Sequence, residues 1–413
     1  MVKTKTNVTF LFYVIMVMWY IFMSESISLR PFTGVAWFAF AFLAMIFETL
    51  PSRKNTKTQT RNCIALGIIF FVSCLYSSDV FESFKYFLSI AMFFIIAYFI
   101  TNTSSRLETV LRVCLAYCFF LGAVTYTQMF WPNVYASFFL PWLSYPEIAV
   151  AYLEVGALCG FTNQTGINAF WMTMGMGLSY FFIEKSKPLK YLATLFFFIA
   201  LLGTGRRGPA IISVFVLILL GFIRGEQGWF RRMLFLGISA LLLGILSEFI
   251  PYINNISDKF EILAESGNIL NGRDVIYMQT LKGIGESPIF GHGLYSMYYY
   301  TPEGVTEQFL SHNAYLQYLF EVGIIGIFFV IKALLFPVRN GIRALKTSLG
   351  KNSSLRFCLF MQLFLLIWGL VESSFYDQYR FFILLITQFG TLTLMDYNED
   401  FERIEKCPEQ IKQ

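Results

Sequence analysis

Two adjacent arginines are the most unusual candidates for chemistry. Arg206 and Arg207 lie in the segment 203–209 (GTGRRGP), a turn of a few residues between two apolar runs. Guanidinium groups match the oxygens of a diphosphate in a bidentate way, and the flanking glycines would let the backbone approach a phosphate closely. We therefore expect Arg206 and Arg207 to bind an anionic ligand. The alternative is that both side chains extend to lipid headgroups.

A histidine opens a later apolar run. His312 lies in the segment 311–317 (SHNAYLQ), where Ser311 or Asn313 could cap a helix. An imidazole can take a proton from a hydroxyl nucleophile near neutral pH, so we expect His312 to act as a general base. The alternative is a histidine satisfied by a neighbouring carbonyl. The other histidine, His292, lies between two glycines, which favours a tight turn.

A third arginine and one buried acid complete the set of candidates. Arg273 precedes apolar residues at helical spacing, which predicts a short helix beginning at Arg273. This arginine could bind an anion, or it could form a salt bridge with Asp274 or Glu286. Glu321 lies inside an apolar run, where a carboxylate is a functional candidate by default or pairs with an interior polar group.

Several chemistries are not supported by the sequence. Two histidines without a cysteine or carboxylate cluster at ligand spacing do not predict a zinc site. The chain has no glycine-rich phosphate loop before Lys-Ser/Thr, no closely spaced Asp-X-Asp pair and no Gly-X-Ser-X-Gly elbow. We therefore expect neither a metal nor a cofactor.

The elements that must position these residues are membrane spans. Hydrophobic residues make up 56% of the 413 residues and charged residues only 14%, against about 25% charged residues in soluble domains. The sequence predicts an all-α polytopic protein, a single membrane domain over 1–413 with about 12 transmembrane helices. The apolar runs begin near Val8, Phe32, Cys63, Phe84, Thr109, Gly166, Tyr191, Gly208, Met233, Ala314, Leu355 and Phe381.

The distribution of charge predicts the topology. Most of the 31 Lys and Arg residues fall in alternate short loops, which favours cytoplasmic positions for those loops and for both termini. The formal charge of +5 is therefore explained by topology, and nucleic-acid binding is not supported. The segment 131–165 is predicted to contain a short helix at the outer interface. The larger extracytoplasmic loop, 251–313, lies between the ninth and tenth predicted spans.

The motifs around the candidate residues resemble those of a known superfamily. The segments 205–208 (GRRG), 273–277 (RDVIY), 288–293 (PIFGHG), 311–317 (SHNAYLQ) and 321–326 (EVGIIG) are similar to motifs of the O-antigen ligase and Wzy-type polysaccharide polymerase superfamily of bacterial membrane glycosyltransferases. The resemblance covers residues 190–335. Gly205 stands where the family usually has Ser, which leaves open whether Arg206 or Arg207 matches the family arginine.

The resemblance implies a reaction at the outer side of the bacterial inner membrane. The donor would be an undecaprenyl-diphosphate-linked oligosaccharide, surrounded by membrane lipid, and the acceptor a sugar hydroxyl; neither nucleotide nor metal would take part. Arg206, Arg207 and Arg273 would bind and stabilise the leaving diphosphate, and His312 would be the base. A partner that regulates chain length is implied as well.

Three functions compete at this point. The first is a polymerase that joins glycan repeat units of an O-antigen, capsule or exopolysaccharide, and it is slightly favoured because no extra acceptor-binding domain is evident. The second is a ligase that moves the glycan onto a lipid or surface acceptor. The third is a lipid-linked glycan transporter or flippase, which predicts ionisable residues near the bilayer midplane. The notable charges gather at one face instead, which favours an enzyme.

Overall fold

The computed structural model of the protein describes residues 10–11, 14–18, 39, 41–43, 54–184, 186–225, 273–300 and 310–406. Within these ranges every regular element is helical and no strand is present. The predicted spans beginning near Val8 and Phe32 lie largely outside the described residues, and the span near Met233 lies wholly outside them. Of the predicted loop 251–313, only 273–300 and 310–313 are described.

The chain forms two compact units. The first contains residues 1–39 and 108–269, and the second contains residues 40–107 and 270–413. The candidate arginines Arg206 and Arg207 belong to the first unit, whereas Arg273 and His312 belong to the second.

The first unit is a set of packed helices with short interruptions. Its helices are α3 (Ser104–Phe130, from Glu108 onward), α4 (Pro132–Phe138), α5 (Pro146–Glu154), α6 (Thr165–Phe182), α7 (Lys187–Gly203) and α8 (Arg207–Arg224). α6 packs against α7 and α8. Gly175 permits close packing between α6 and α7, because a Cβ there would meet the Phe197 ring at 2.5 Å. The predicted interfacial segment 131–165 contains two short helices, α4 and α5, where one was expected.

The second unit is built around one long helix. Its helices are α1 (Lys54–Cys74), α2 (Val80–Ile100), α9 (Arg273–Glu286), α10 (Ala314–Leu345), α11 (Ser353–Trp368) and α12 (Gln378–Lys406). α10 packs against α1, α9, α11 and α12. Fully buried aromatic side chains fill the space between the helices; they include Phe70, Tyr318, Phe360, Phe364, Phe375 and Phe382. The short helix predicted to begin at Arg273 is confirmed.

The helices are those of a multi-pass membrane protein. Four of the described helices, α2, α3, α8 and α10, are long and apolar enough to cross a membrane. Large apolar side chains on their surfaces remain exposed, such as Phe222 on α8 at 64% and Phe328 on α10 at 62%. Such surfaces match a lipid environment. The all-α class is thus confirmed, and the number of about 12 spans stays a prediction.

The long helix α10 is interrupted at Gly323. This residue has φ 64° and ψ −171°, a combination that is essentially confined to glycine. The segment 288–293, which we call the docking loop, fills the interruption. Its amides at His292 and Gly293 donate to the carbonyls of Phe320 and Glu321, each at 2.9 Å. In return, the amide of Ile324 donates to the carbonyl of Pro288 at 2.9 Å.

The docking loop is also held from its other sides. The hydroxyl groups of Tyr76 and Ser77 donate to the carbonyls of Phe290 and Leu294, both at 2.7 Å. His292 donates through Nε2 to the carbonyl of Gly283 at 2.7 Å and stacks on the Phe320 ring. His292 therefore joins the docking loop to α9, in a turn where both neighbouring glycines have positive φ.

Replacing Gly323 by alanine should destabilise the protein by at least about 2 kcal/mol. The observed backbone conformation costs a residue with a Cβ about 1–3 kcal/mol, and the new Cβ would overlap the carbonyl of Ile289. The measurement is the thermal unfolding midpoint of each purified variant in detergent. Gly67→Ala is the control, because a Cβ at this position in α1 would meet nothing within 4 Å. If both variants unfold at the same temperature, the interruption of α10 is not a structural requirement.

Candidate functional site

His312 lies at the start of α10 in a strained conformation. Its φ of 49° is uncommon for a residue with a Cβ. Asn313 caps the helix, because its Oδ1 accepts from the amides of Tyr315 and Leu316 at 3.0 and 3.1 Å. The predicted cap is thereby confirmed for Asn313. Strain of this kind persists only where the surroundings enforce it, and it is frequent at functional sites.

A turn at residues 369–372, which we call the acceptor turn, holds the beginning of α10. The carbonyl of Gly369 accepts from the amide of Ala314 at 2.8 Å. The carbonyl of Leu370 accepts from Asn313 Nδ2 at 2.9 Å. The two residues that follow His312 are therefore tied to the segment that connects α11 to α12.

The acceptor turn also supplies an acidic partner for His312. Glu372 Oε1 lies 3.1 Å from His312 Nδ1. Glu372 Oε2 lies 3.9 Å from a terminal nitrogen of Arg273, whose other terminal nitrogen donates to the carbonyl of Val371 at 2.8 Å. The side chains of His312 and Arg273 are 39% and 30% exposed. A reactant in solution or at a membrane surface could therefore reach this cluster.

Tyr277 on α9 completes the surroundings of the cluster. Its hydroxyl donates to the carbonyl of His312 at 3.4 Å. Burial raises the pKa of Tyr277, while the Arg273 charge lowers this pKa and the Glu372 charge raises it. The net shift is upward, so Tyr277 remains a neutral hydrogen-bond donor.

The geometry determines what the imidazole can do. An ionised Glu372 can only accept hydrogen bonds, so it favours the tautomer of His312 in which Nδ1 carries the proton. Nε2 then has the free lone pair and can take a proton from a bound hydroxyl group. A carboxylate that orients an imidazole in this way is a common arrangement for a general base.

Arg206 and Arg207 lie at the beginning of α8 in the first unit. Gly205 has φ 68° and forms the turn between α7 and α8. Arg206 occupies the N-cap position, and its Nε donates to the hydroxyl of Thr165 at 2.8 Å. Thr165 is the first residue of α6. The guanidinium of Arg206 thus joins the beginnings of two helices.

Both of these helix ends favour an anion. Neither α6 nor α8 has a side-chain hydrogen bond at its N-cap within the described structure. Helix N-termini present free amides and a positive partial charge, which makes them suitable binding sites for phosphate groups. The bond from Arg206 to Thr165 uses Nε, so the terminal nitrogens of Arg206 can donate to another acceptor.

The loop before α6 is fixed by buried polar side chains. The amide of Leu158 donates to the carbonyl of Gly203 at 3.0 Å, which joins the loop to the end of α7. Asn168 Nδ2 donates to the carbonyl of Leu158 at 3.1 Å, and Gln128 Oε1 accepts from the amide of Gly160 at 2.7 Å. The position of Thr165 relative to Arg206 is therefore well defined.

The structure brings some of the predicted residues together. Arg273 and His312 both contact Glu372 in the second unit. Arg206 and Arg207 are neighbours in the first unit. The structure pairs Arg273 with Glu372, whereas the sequence offered Asp274 or Glu286. The side chain of Asp274 lies outside the described part of the structure, and Glu286 lies 3.5 Å from the Tyr300 hydroxyl. Sequence reasoning missed Glu372. The available signal was an acidic residue in the short segment between the eleventh and twelfth predicted spans, on the same predicted side as His312.

Within the described ranges, no group of three or more His, Cys, Asp or Glu side chains could hold a metal ion. The charged groups of the two clusters are arginines, one histidine and one carboxylate. Arginines at the beginning of a helix, as in the first unit, are typical of sites for phosphorylated ligands.

Comparison with known families agrees with this chemistry. Residues 192–331 match the model of the O-antigen ligase family. The match confirms the resemblance to the O-antigen ligase and Wzy-type superfamily, and it supports a glycan-related ligase or polymerase function in a multi-pass membrane protein. The matched segment contains Arg206, Arg207, Arg273 and His312, whereas Glu372 lies beyond it. No curated protein matches the chain.

Replacing Asn313 by alanine should lower both stability and glycan-transfer activity. The loss of a helix cap costs about 1 kcal/mol, and the bond from Asn313 to the acceptor turn disappears with it, so His312 is less well held. Asn352→Ala is the matched control, since Asn352 caps α11 by accepting from the amide of Leu355 at 3.1 Å. Unfolding midpoints and turnover of a lipid-linked glycan are measured for both variants. We expect both variants to lose a similar amount of stability and only Asn313→Ala to lose activity. Equal activity in the two variants would show that the Asn313 cap has no role at the site.

Proposed function

We propose that this protein polymerises undecaprenyl-diphosphate-linked glycan repeat units by glycosyl transfer. The reaction takes place on the outer side of the bacterial inner membrane, and both termini are cytoplasmic. The observation that carries the proposal is the pairing of His312 Nδ1 with Glu372, because His312 belongs to the segment that matches the O-antigen ligase family. This pairing supports an imidazole prepared to accept a proton at Nε2.

The transfer is a direct displacement at the anomeric carbon. The acceptor hydroxyl oxygen attacks C1 of the donor sugar while His312 Nε2 takes the hydroxyl proton. The bond between C1 and the diphosphate oxygen breaks, and undecaprenyl diphosphate leaves with the bonding electrons. Glu372 stabilises the imidazolium that forms, because opposite charges attract strongly at 3.1 Å.

The arginines offset the charge that develops on the leaving group. Arg206 and Arg207 bind the diphosphate oxygens together with the amides at the beginnings of α6 and α8. Arg273 contributes positive charge beside Glu372. In this account these cations replace a metal ion, and a single well-placed donor of this sort is worth about 3 kcal/mol in a transition state.

A ligase is the second candidate. The description of the matched family as O-antigen ligase favours it. Polymerase and ligase share the donor and the chemistry of the site, so they differ only in the acceptor. A glycan on the same lipid carrier is the acceptor of a polymerase, whereas a different lipid or surface molecule is the acceptor of a ligase.

The acceptor is tested with purified protein and a defined donor. An undecaprenyl-diphosphate-linked repeat unit is incubated with the protein alone, and products are separated by gel and identified by mass spectrometry. A ladder of products from the donor alone is expected for a polymerase. Consumption of the donor only after a separate lipid acceptor is added would establish the ligase, and a donor that is never consumed would contradict both.

His312→Ala should lower the turnover number by about 10²–10⁴-fold, the usual contribution of a general base. Glu372→Gln should have a smaller effect in the same direction, because the amide keeps the side-chain shape and loses the charge. Glu108→Gln is a suitable control, since Glu108 is exposed on α3, where it forms an ion pair with Arg112. Turnover is measured from the release of undecaprenyl diphosphate. Full activity of His312→Ala would remove the histidine from the mechanism.

Arg206→Lys and Arg207→Lys should each reduce turnover by about tenfold or more, because a lysine cannot form the bidentate contacts of a guanidinium. The larger loss identifies the arginine that matches the family residue. Arg224→Lys, at the opposite end of α8, is the matched control and should retain activity. If all three variants behave alike, the beginning of α8 does not bind the diphosphate.

A further inference from the structure

Glu321 is a buried carboxylate that the mechanism above does not use. It lies on α10 two residues before the interruption at Gly323, and its side chain is fully buried. Burial of a carboxylate is costly unless hydrogen bonds compensate it. Tyr376 donates its hydroxyl to both carboxylate oxygens, at 2.7 and 2.9 Å. Gln317 Nε2 donates to Oε1 at 3.3 Å.

The donors to Glu321 come from two different segments. Gln317 belongs to the first turns of α10, and Tyr376 belongs to the segment that follows the acceptor turn. One side chain thus joins the beginning of α10 to the segment that precedes α12.

A chain of hydrogen bonds leads from Glu321 to His312. Gln317 Oε1 accepts from the amide of Ser311 at 3.4 Å and lies 3.3 Å from the Ser311 hydroxyl oxygen. Ser311 immediately precedes His312, and its hydroxyl also donates to the carbonyl of Asn313 at 2.7 Å. The strained backbone of His312 is therefore enclosed by residues whose positions depend on Gln317.

The chemistry of a carboxylate explains why an acid is needed here. A carboxylate only accepts, so it requires the amide nitrogen of Gln317 to face it and directs the amide oxygen to Ser311. A glutamine at position 321 could present either a donor or an acceptor to Gln317. The side-chain amide of Gln317 could then rotate by half a turn and lose its hydrogen bond to Ser311. The accepting oxygens of Glu321 thereby determine the orientation of the Gln317 amide and, through it, the contact with Ser311.

A second connection leads from Glu321 to Glu372. Tyr376 follows Glu372 by four residues, and its carbonyl accepts from the buried Tyr86 hydroxyl at 2.7 Å. Ser374, between them, donates to the carbonyl of Leu365 at 2.8 Å. The segment that carries Glu372 is therefore fixed at both α11 and Glu321.

We propose that Glu321 is a positioning residue that holds the base His312 and its partner Glu372 at hydrogen-bonding distance, through Gln317 and Ser311 on one side and through Tyr376 on the other. This inference rests on the proposed function of His312. It gives Glu321 a role in turnover that is separate from its role in the stability of the fold.

The test compares the turnover number, the KM for the donor and the unfolding midpoint of four variants: Glu321→Gln, Tyr376→Phe, Ser311→Ala and the control Asp396→Asn. Asp396 is a buried carboxylate that caps α1 by accepting from the amides of Asn55 and Thr56, both at 3.0 Å. It lies at the N-terminal end of α1, about 30 Å along the helix axis from the C-terminal end at Cys74.

Glu321→Gln and Tyr376→Phe should lower the turnover number by about 10–100-fold, since small displacements of catalytic groups have effects of this size. The KM for the donor should change by less than about threefold, because donor binding does not involve these groups. The double variant Glu321→Gln/Ser311→Ala should be no slower than the slower single variant, because both act through one chain. Asp396→Asn should lose stability and keep its turnover number.

Two results would overturn the inference. One is a folded Glu321→Gln protein with the turnover number of the wild type. The other is additive losses in the double variant, which would separate Glu321 from Ser311. Tyr376→Phe and Ser311→Ala keep the test decisive if Glu321→Gln does not fold. If His312→Ala loses activity while Glu321→Gln, Tyr376→Phe and Ser311→Ala keep theirs, only the inference is contradicted. Full activity in His312→Ala contradicts the proposed function.

Discussion

The interruption of α10 is the constraint on which the second unit depends. A helix that breaks inside a membrane protein leaves main-chain groups without partners, and each unsatisfied group costs several kcal/mol in an apolar environment. The docking loop supplies these partners through His292, Gly293, Pro288 and Ile289. Because glycines at 291 and 323 let the two backbones meet, the loop is bound to α10 by main-chain geometry and not by side-chain identity.

This docking determines where the polar residues lie. Glu321 lies two residues before the interruption, and its buried side chain accepts hydrogen bonds from α10 and from the segment before α12. The acceptor turn fixes the other side of His312 through Gly369, Leu370 and Glu372. The strained residue His312 is thereby held by a network of buried hydrogen bonds. Such a network is needed to keep the distance between His312 and Glu372 short and constant.

Much of this could be predicted from the sequence. Long apolar runs indicated the helices, the GTGRRGP segment indicated a short turn between two of them, and Asn313 was one of the two residues offered as a cap. The partner of Arg273 could not be predicted, because Glu372 is 99 residues away and only tertiary packing brings the two together. The interruption of α10 was likewise hidden, since a lone glycine in an apolar run does not distinguish a broken helix from a continuous one.

The stereochemistry of the new glycosidic bond tests the central claim most directly. The purified protein is given a lipid-linked donor of known anomeric configuration in the presence of a metal chelator, and the linkage of the product is determined by NMR. Direct attack by an acceptor activated at His312 predicts a single product in which the configuration is inverted. A product that retains the configuration would require a covalent glycosyl intermediate and would contradict the account.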